Sequence, residues 1–159
     1  MGFVKAAFWL ALVVWLGAVV FFSFVVAPSV FGVLPPETAG QVVGTIFPRY
    51  YCLGAGAGTV ALLAALVLRA RASATRPWSA TSVMLASMLL ATLYAGRVVQ
   101  PRAQALRPRL HDSVVEPGIR AEFDRLHRQA VRLNGAVLLL GLATVCVAAA
   151  GFELPGPRA

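Results

Sequence analysis

The sequence is short of charge, and the shortage is uneven. Only 13% of the 159 residues are Asp, Glu, Lys or Arg; six are acidic, and of the 14 basic ones only Lys5 is a lysine. Histidine and cysteine occur twice each. No Asp, Glu, Lys, Arg or His lies in the central part of any long apolar run. That argues against a proton- or sodium-coupled pump, which needs an ionisable group at that depth. His111 and His127 both fall in one polar segment, so a haem held between two membrane helices lacks its ligands and no cofactor is expected. Cys146 lies twelve residues beyond Asn134, about 18 Å along a helix, while Cys52 opens its own apolar run, so the two are not expected to pair. The Gly-Ala-Gly-Ala-Gly stretch at 54–58 lacks the Lys and Ser or Thr of a phosphate-binding loop. No nucleophile with a base, and no metal triad, stands at usable spacing, so an enzyme is not expected.

What fills the chain is apolar. Hydrophobic residues make up 59%, and the mean hydropathy is +0.79, far outside the range of ordinary soluble domains. Four runs, 6–26, 52–68, 79–99 and 133–152, approach the roughly 20 residues needed to cross a hydrocarbon core of about 30 Å. Spans and connectors use the whole chain, which predicts one all-α domain, an integral membrane four-helix bundle over residues 1–159. The first run exceeds the roughly 7–15 apolar residues of a signal peptide and is read as a retained helix. The net charge of +8 gathers at span ends, where lipid phosphate is the nearest anion, so the expected partner is the bilayer and not nucleic acid. The expected location is the cell (plasma or inner) membrane. Arginines crowd the third connector and its flanks, which predicts that connector to be cytoplasmic.

The segment 28–58 leaves the membrane, lies on it and returns. In 36–47, Ala39, Val42, Val43, Ile46 and Phe47 recur at helical spacing against Glu37, Gln41 and Thr45, the pattern of an amphipathic interfacial helix. Pro36 suits its first turn and Pro48 is expected to stop it. Tyr50 and Tyr51 belong at a headgroup boundary. Residues 103–118 read as an irregular connector, and 119–132 as a second interfacial helix running into the fourth span. Gly54, Gly58, Ala61 and Ala65 form one small-residue stripe, and Gly141, Thr144, Ala148 and Gly151 another, both suited to close helix packing; Gly17 is expected to mark a further contact. Through such faces a second copy or another membrane protein can pack.

Topology places the end of helix one, the start of helix two, the end of helix three and the start of helix four on one membrane face. The polar residues Tyr50, Arg97, Gln100, Asp124, His127 and Asn134 cluster there, and they are the candidate binding mouth. Arg97 either snorkels to phosphate or holds a partner in that mouth. Met84, Met88 and Cys146 fall at similar depth and form a ligand set suited to a soft cation such as Cu(I). They are read as packing residues, because Met and free Cys fill apolar interiors. The function expected is binding or transport of a small solute, with a structural or assembly role as the alternative and copper-like metal handling as a weaker one.

Several separated motifs carry a family likeness. The stretch at 15–31, WLGAVVFFSFVVAPSVF, is followed by Leu34-Pro35, by Gly40 and by Phe47-Pro48-Arg49-Tyr50. Ala95-Gly96-Arg97-Val98-Val99-Gln100-Pro101-Arg102 comes next, then Phe123 to His127 with Asn134. Together they resemble the transmembrane protein 205-like family, whose bacterial members are catalogued as domain of unknown function 4149. The resemblance implies a small multi-pass membrane protein whose activity is not settled. A looser likeness to copper-resistance and haem-synthesis membrane proteins fails at the ligand, because Phe8 stands near the position of their histidine.

Overall fold

The computed structural model describes residues 1–72, 75–110 and 117–152. His111 lies outside these residues. The first helical run comprises α1 (Gly2–Phe21), a π-helical turn (Phe22–Val26) and α2 (Ala27–Val33). The second is the single helix α3 (Pro36–Arg71). The third comprises α4 (Thr75–Tyr94), a second π-turn (Ala95–Val99), α5 (Gln100–Leu106) and a 3₁₀ turn (Pro108–Leu110). The fourth is α6 (Pro117–Gly151). All four are long and apolar enough to cross a membrane. Neighbours pack in chain order, α1 on α3, α3 on α4 and α4 on α6, and α1 and α6 touch more lightly to close the bundle.

The helices are longer than the bilayer needs. At 1.5 Å per residue the 36 residues of α3 extend about 54 Å, well beyond a hydrocarbon core of about 30 Å. The arginines show which end protrudes. Counting about 20 residues back from Arg69 reaches Arg49, and about 20 on from Arg76 reaches Arg97, each step close to 30 Å. Arg49 and Arg97 therefore mark the opposite headgroup level. Beyond them the start of α3, α5 and the start of α6 form a small cap.

Three sequence expectations on helix ends are corrected. Pro48 does not stop the second helix; it lies inside α3. The carbonyl facing its ring belongs to Gly44, and one lost hydrogen bond is tolerable in a helix held by packing on its neighbours. The first helix likewise runs past Pro28, and the third runs past Pro101 into what was expected to be irregular chain. Here the physical reason is visible. A proline donates no hydrogen bond and its ring presses on the carbonyl one turn back. Just before each of these prolines the turn widens, so that the Ala27 N–H donates to Phe22 five residues back and the Gln100 N–H to Ala95. The same four-residue pattern, Val25-Val26-Ala27-Pro28 and Val98-Val99-Gln100-Pro101, stands at both sites. The chain is thus two helical hairpins built alike, each with a π-turn and proline in its first helix and an amphipathic start to its second.

The core is apolar and closely packed. Phe8, Leu12, Trp15 and Val19 of α1, Leu85 and Met88 of α4, and Val137 and Ala148 of α6 are buried together with the small residues Ala61 and Ala65. Both predicted stripes face inward: Gly54, Gly58, Gly141, Thr144 and Ala148 are buried. A Cβ on Gly58 would lie 2.8 Å from the Trp15 ring, and one on Gly141 would collide with Leu16. Gly17 does not behave this way. It is exposed, with nothing within 4 Å of a Cβ there, so its expected helix contact is corrected; Leu16 next to it makes the contact instead. At the end where α1 starts and α6 finishes, Phe8, Trp9, Trp78 and Phe152 form an aromatic cluster, with the Lys5 ammonium 5.1 Å from the centre of the Phe152 ring.

Candidate functional site

At the arginine level on the connector side the four runs converge on a chain of polar groups. Tyr50 on α3 donates its hydroxyl to Oδ1 of Asn134 on α6. The Asn134 amide in turn donates to Oγ of Ser23, 2.9 Å away in the first π-turn. The three residues are half-buried, so their polar groups would cost free energy if left unpaired at the edge of hydrocarbon. Beside them lies a small hollow of about 10 Å³, lined by Tyr50 and Asn134 themselves and by Trp15, Tyr51, Thr92 and Ala95 among others. That is room for about one water molecule. None of the residues that line it is charged.

Each wall is positioned by a local feature already described. The π-turns bring Ser23 and Ala95 to the site from helices one and three. Gly96 lets the third helix lie against Tyr51, since a Cβ there would stand 2.8 Å from Tyr51 Cβ and Cγ. Tyr50 and Tyr51 pack with Phe22 and Phe47 in one aromatic group, ring centres 5.0–6.4 Å apart. Of these rings, Tyr50 and Tyr51 line the hollow.

Of the six residues expected to form the mouth, Tyr50 and Asn134 are hydrogen-bonded to each other, and Gln100 is buried immediately after the second π-turn. Arg97, Asp124 and His127 are exposed and do not line the cavity. His127 stacks on Phe123, ring planes 10° apart. The third arm of the polar chain, Ser23, was not among the sequence candidates. A lone Ser in an apolar helix gives little signal, although the repeated Val-Val-x-Pro pattern marks the turn that holds it. The cap uses another unanticipated pair. Gln104 and Arg107 of the third run lie against Gly44 and Gly40, a Gly-x-x-x-Gly spacing on α3, and the Arg107 guanidinium sits 5.6 Å from the centre of the Phe123 ring.

The soft-ligand candidates separate. Met88 is fully buried and its sulfur faces the Thr144 hydroxyl at 3.8 Å, whereas Cys146 is exposed on the outer face. Among the described residues no group of three or more His, Cys, Asp or Glu is placed to hold a metal ion.

A family model described as Domain of unknown function (DUF4149) matches residues 10–112, more than half of the chain. The chain belongs to the DUF4149 family. The matched part runs from the first helix of this DUF4149 protein through the third and includes Ser23, Tyr50 and both π-turns; Asn134 lies outside it. No curated protein and no solved structure matches the chain.

Proposed function

We propose that this DUF4149 chain is a non-enzymatic protein of the cell membrane that admits a small uncharged polar solute at its connector-side mouth. The observation that carries the reading is the Tyr50–Asn134–Ser23 hydrogen-bond chain beside an uncharged, water-sized hollow that Tyr50 and Asn134 help to line. Hydroxyl and amide groups at the edge of hydrocarbon recognise a solute that can exchange the same hydrogen bonds. The two π-turns support it further, since such turns often accompany functional sites, and here each contributes a residue to the mouth.

The test is a stopped-flow swelling assay on liposomes carrying the purified chain, challenged with urea and with glycerol. Entry of one or both solutes faster than into protein-free liposomes, and slowed in Asn134→Leu, is expected. Identical swelling of loaded and empty liposomes, with the chain folded, sinks the proposal and leaves an assembly role in its place.

A further inference from the structure

A second hollow lies on the outside of the bundle, between α1 and α3, and belongs to no part of the mouth. It is an open groove of about 730 Å³. Its floor is small and apolar, from Ala7, Ala11 and Val14 on one side and Gly56, Ala57 and Val60 on the other. A Cβ on Gly56 would meet nothing within 4 Å, so the groove is real space at that point and not a tight helix contact. Arg49 closes the connector end. Its guanidinium is exposed and gives one hydrogen bond of 3.3 Å to the Thr45 carbonyl, which leaves most of its five donors for another acceptor. From Arg49 to Val60 the groove runs about 16 Å along α3, at 1.5 Å per residue.

We infer that the α1–α3 groove binds one anionic phospholipid, with an acyl chain along the small-residue floor and the headgroup phosphate on Arg49. Depth and charge together select this occupant. Arg49 stands at the headgroup level, as the 30 Å spacing from Arg69 requires, and a phosphate beside a guanidinium makes charge-assisted, often bidentate hydrogen bonds. The floor then descends from that cation into hydrocarbon, which matches a molecule with an anionic head and an apolar tail. A membrane helix would fill the floor without using the charge. Free phosphate would use the charge and leave the floor empty.

Native mass spectrometry of the full chain, released from detergent after exchange with dioleoyl phosphatidylglycerol, reads the retained lipid directly. One phosphatidylglycerol per chain is expected on the wild type. Arg49→Ala is expected to weaken retention at least about tenfold, the scale of a lost charged hydrogen bond, and Arg49→Lys to weaken it less. Gly56→Leu, whose Cβ meets nothing within 4 Å, puts a bulky side chain on the floor and is expected to lower retention while leaving Arg49 in place. Arg69→Ala, at the other end of the span, is expected to change nothing. Equal loss in Arg69→Ala and Arg49→Ala overturns the assignment, because the attraction is then general. So does glycerol 3-phosphate competing as well as the full lipid, which makes the site a phosphate site alone. Dimers that Gly56→Leu splits, with lipid retention unchanged, overturn it in favour of a second copy in the groove.

Discussion

Gly58 of α3 carries the Trp15 ring directly on its backbone: a Cβ there would stand 2.8 Å from Cη2 and Cζ3 of that ring and 3.1 Å from Leu89 Cδ1. Trp15 is 1% exposed, so it has nowhere to retreat. Gly58→Ala is expected to destabilise the bundle by about 1–3 kcal/mol, the usual cost of overpacking, read as a lower unfolding midpoint in detergent. Gly56→Ala, two residues away and facing open space, is expected to cost nothing. Gly58→Ala combined with Trp15→Phe recovers part of the loss if the ring is the obstacle.

The stripe behind this contact was legible in the sequence because packing of small residues repeats with the helical period, and Gly54, Gly58, Ala61 and Ala65 obey it. Gly17 misled because a glycine without periodic partners carries no direction; only the fold shows that it faces outward. The four spans were legible for the same reason of length and hydropathy. The continuation through Pro28, Pro48 and Pro101 was not, because local propensity charges the proline for a lost hydrogen bond while the relief is supplied by a wider turn and by neighbouring helices. In the mouth, Tyr50 and Asn134 were found by topology. Arg97, Asp124 and His127 were expected beside them because a shared membrane face says nothing of a side chain's direction around its helix.

The hydrogen bond between Tyr50 and Asn134 should behave as a coupled pair. Tyr50→Phe and Asn134→Leu are each expected to destabilise, and the double mutant to lose less than their sum. The coupling expected is about 0.5–2 kcal/mol, the scale of interhelical hydrogen bonds in membrane proteins. A cycle that closes at zero means the two groups find other partners and the polar chain does not hold the helices.

Thr81 is fully buried and its hydroxyl has no hydrogen-bond partner among the described residues. Replacing it with Val keeps the shape and removes the unpaired group. Thr81→Val is therefore expected to stabilise by about 1 kcal/mol, and a raised unfolding midpoint checks it. A fall of similar size shows that the hydroxyl is satisfied in the membrane.

The second π-turn accommodates one residue more than an α-helical turn would hold. Deleting Val98 is expected to restore α-helical winding while the residues beyond it keep their faces, which leaves Gln104 and Arg107 against Gly44 and Gly40; deleting Ala103 from α5 instead is expected to turn both side chains away by about 100°. Cysteines placed at Gly40 and Arg107, in a chain with Cys52 and Cys146 changed to Ser, are expected to crosslink efficiently with a short bifunctional maleimide in the parent chain and in the Val98 deletion, and poorly in the Ala103 deletion. Crosslinking lost in the Val98 deletion means the turn holds no extra residue, and crosslinking kept in both deletions means the cap is positioned by its own packing and not by the helix below.

The aromatic cluster of Phe8, Trp78 and Phe152 lies at the opposite end from both π-turns, and the Trp78 indole N–H is hydrogen-bonded there to the Gly151 carbonyl at 3.3 Å. The bundle is accordingly clasped at one pole and jointed at the other. Its fluctuations have a fixed fulcrum, so amide exchange should fade steadily from Ala95 down the third helix towards Trp78, as along a pair of tongs held at the rivet.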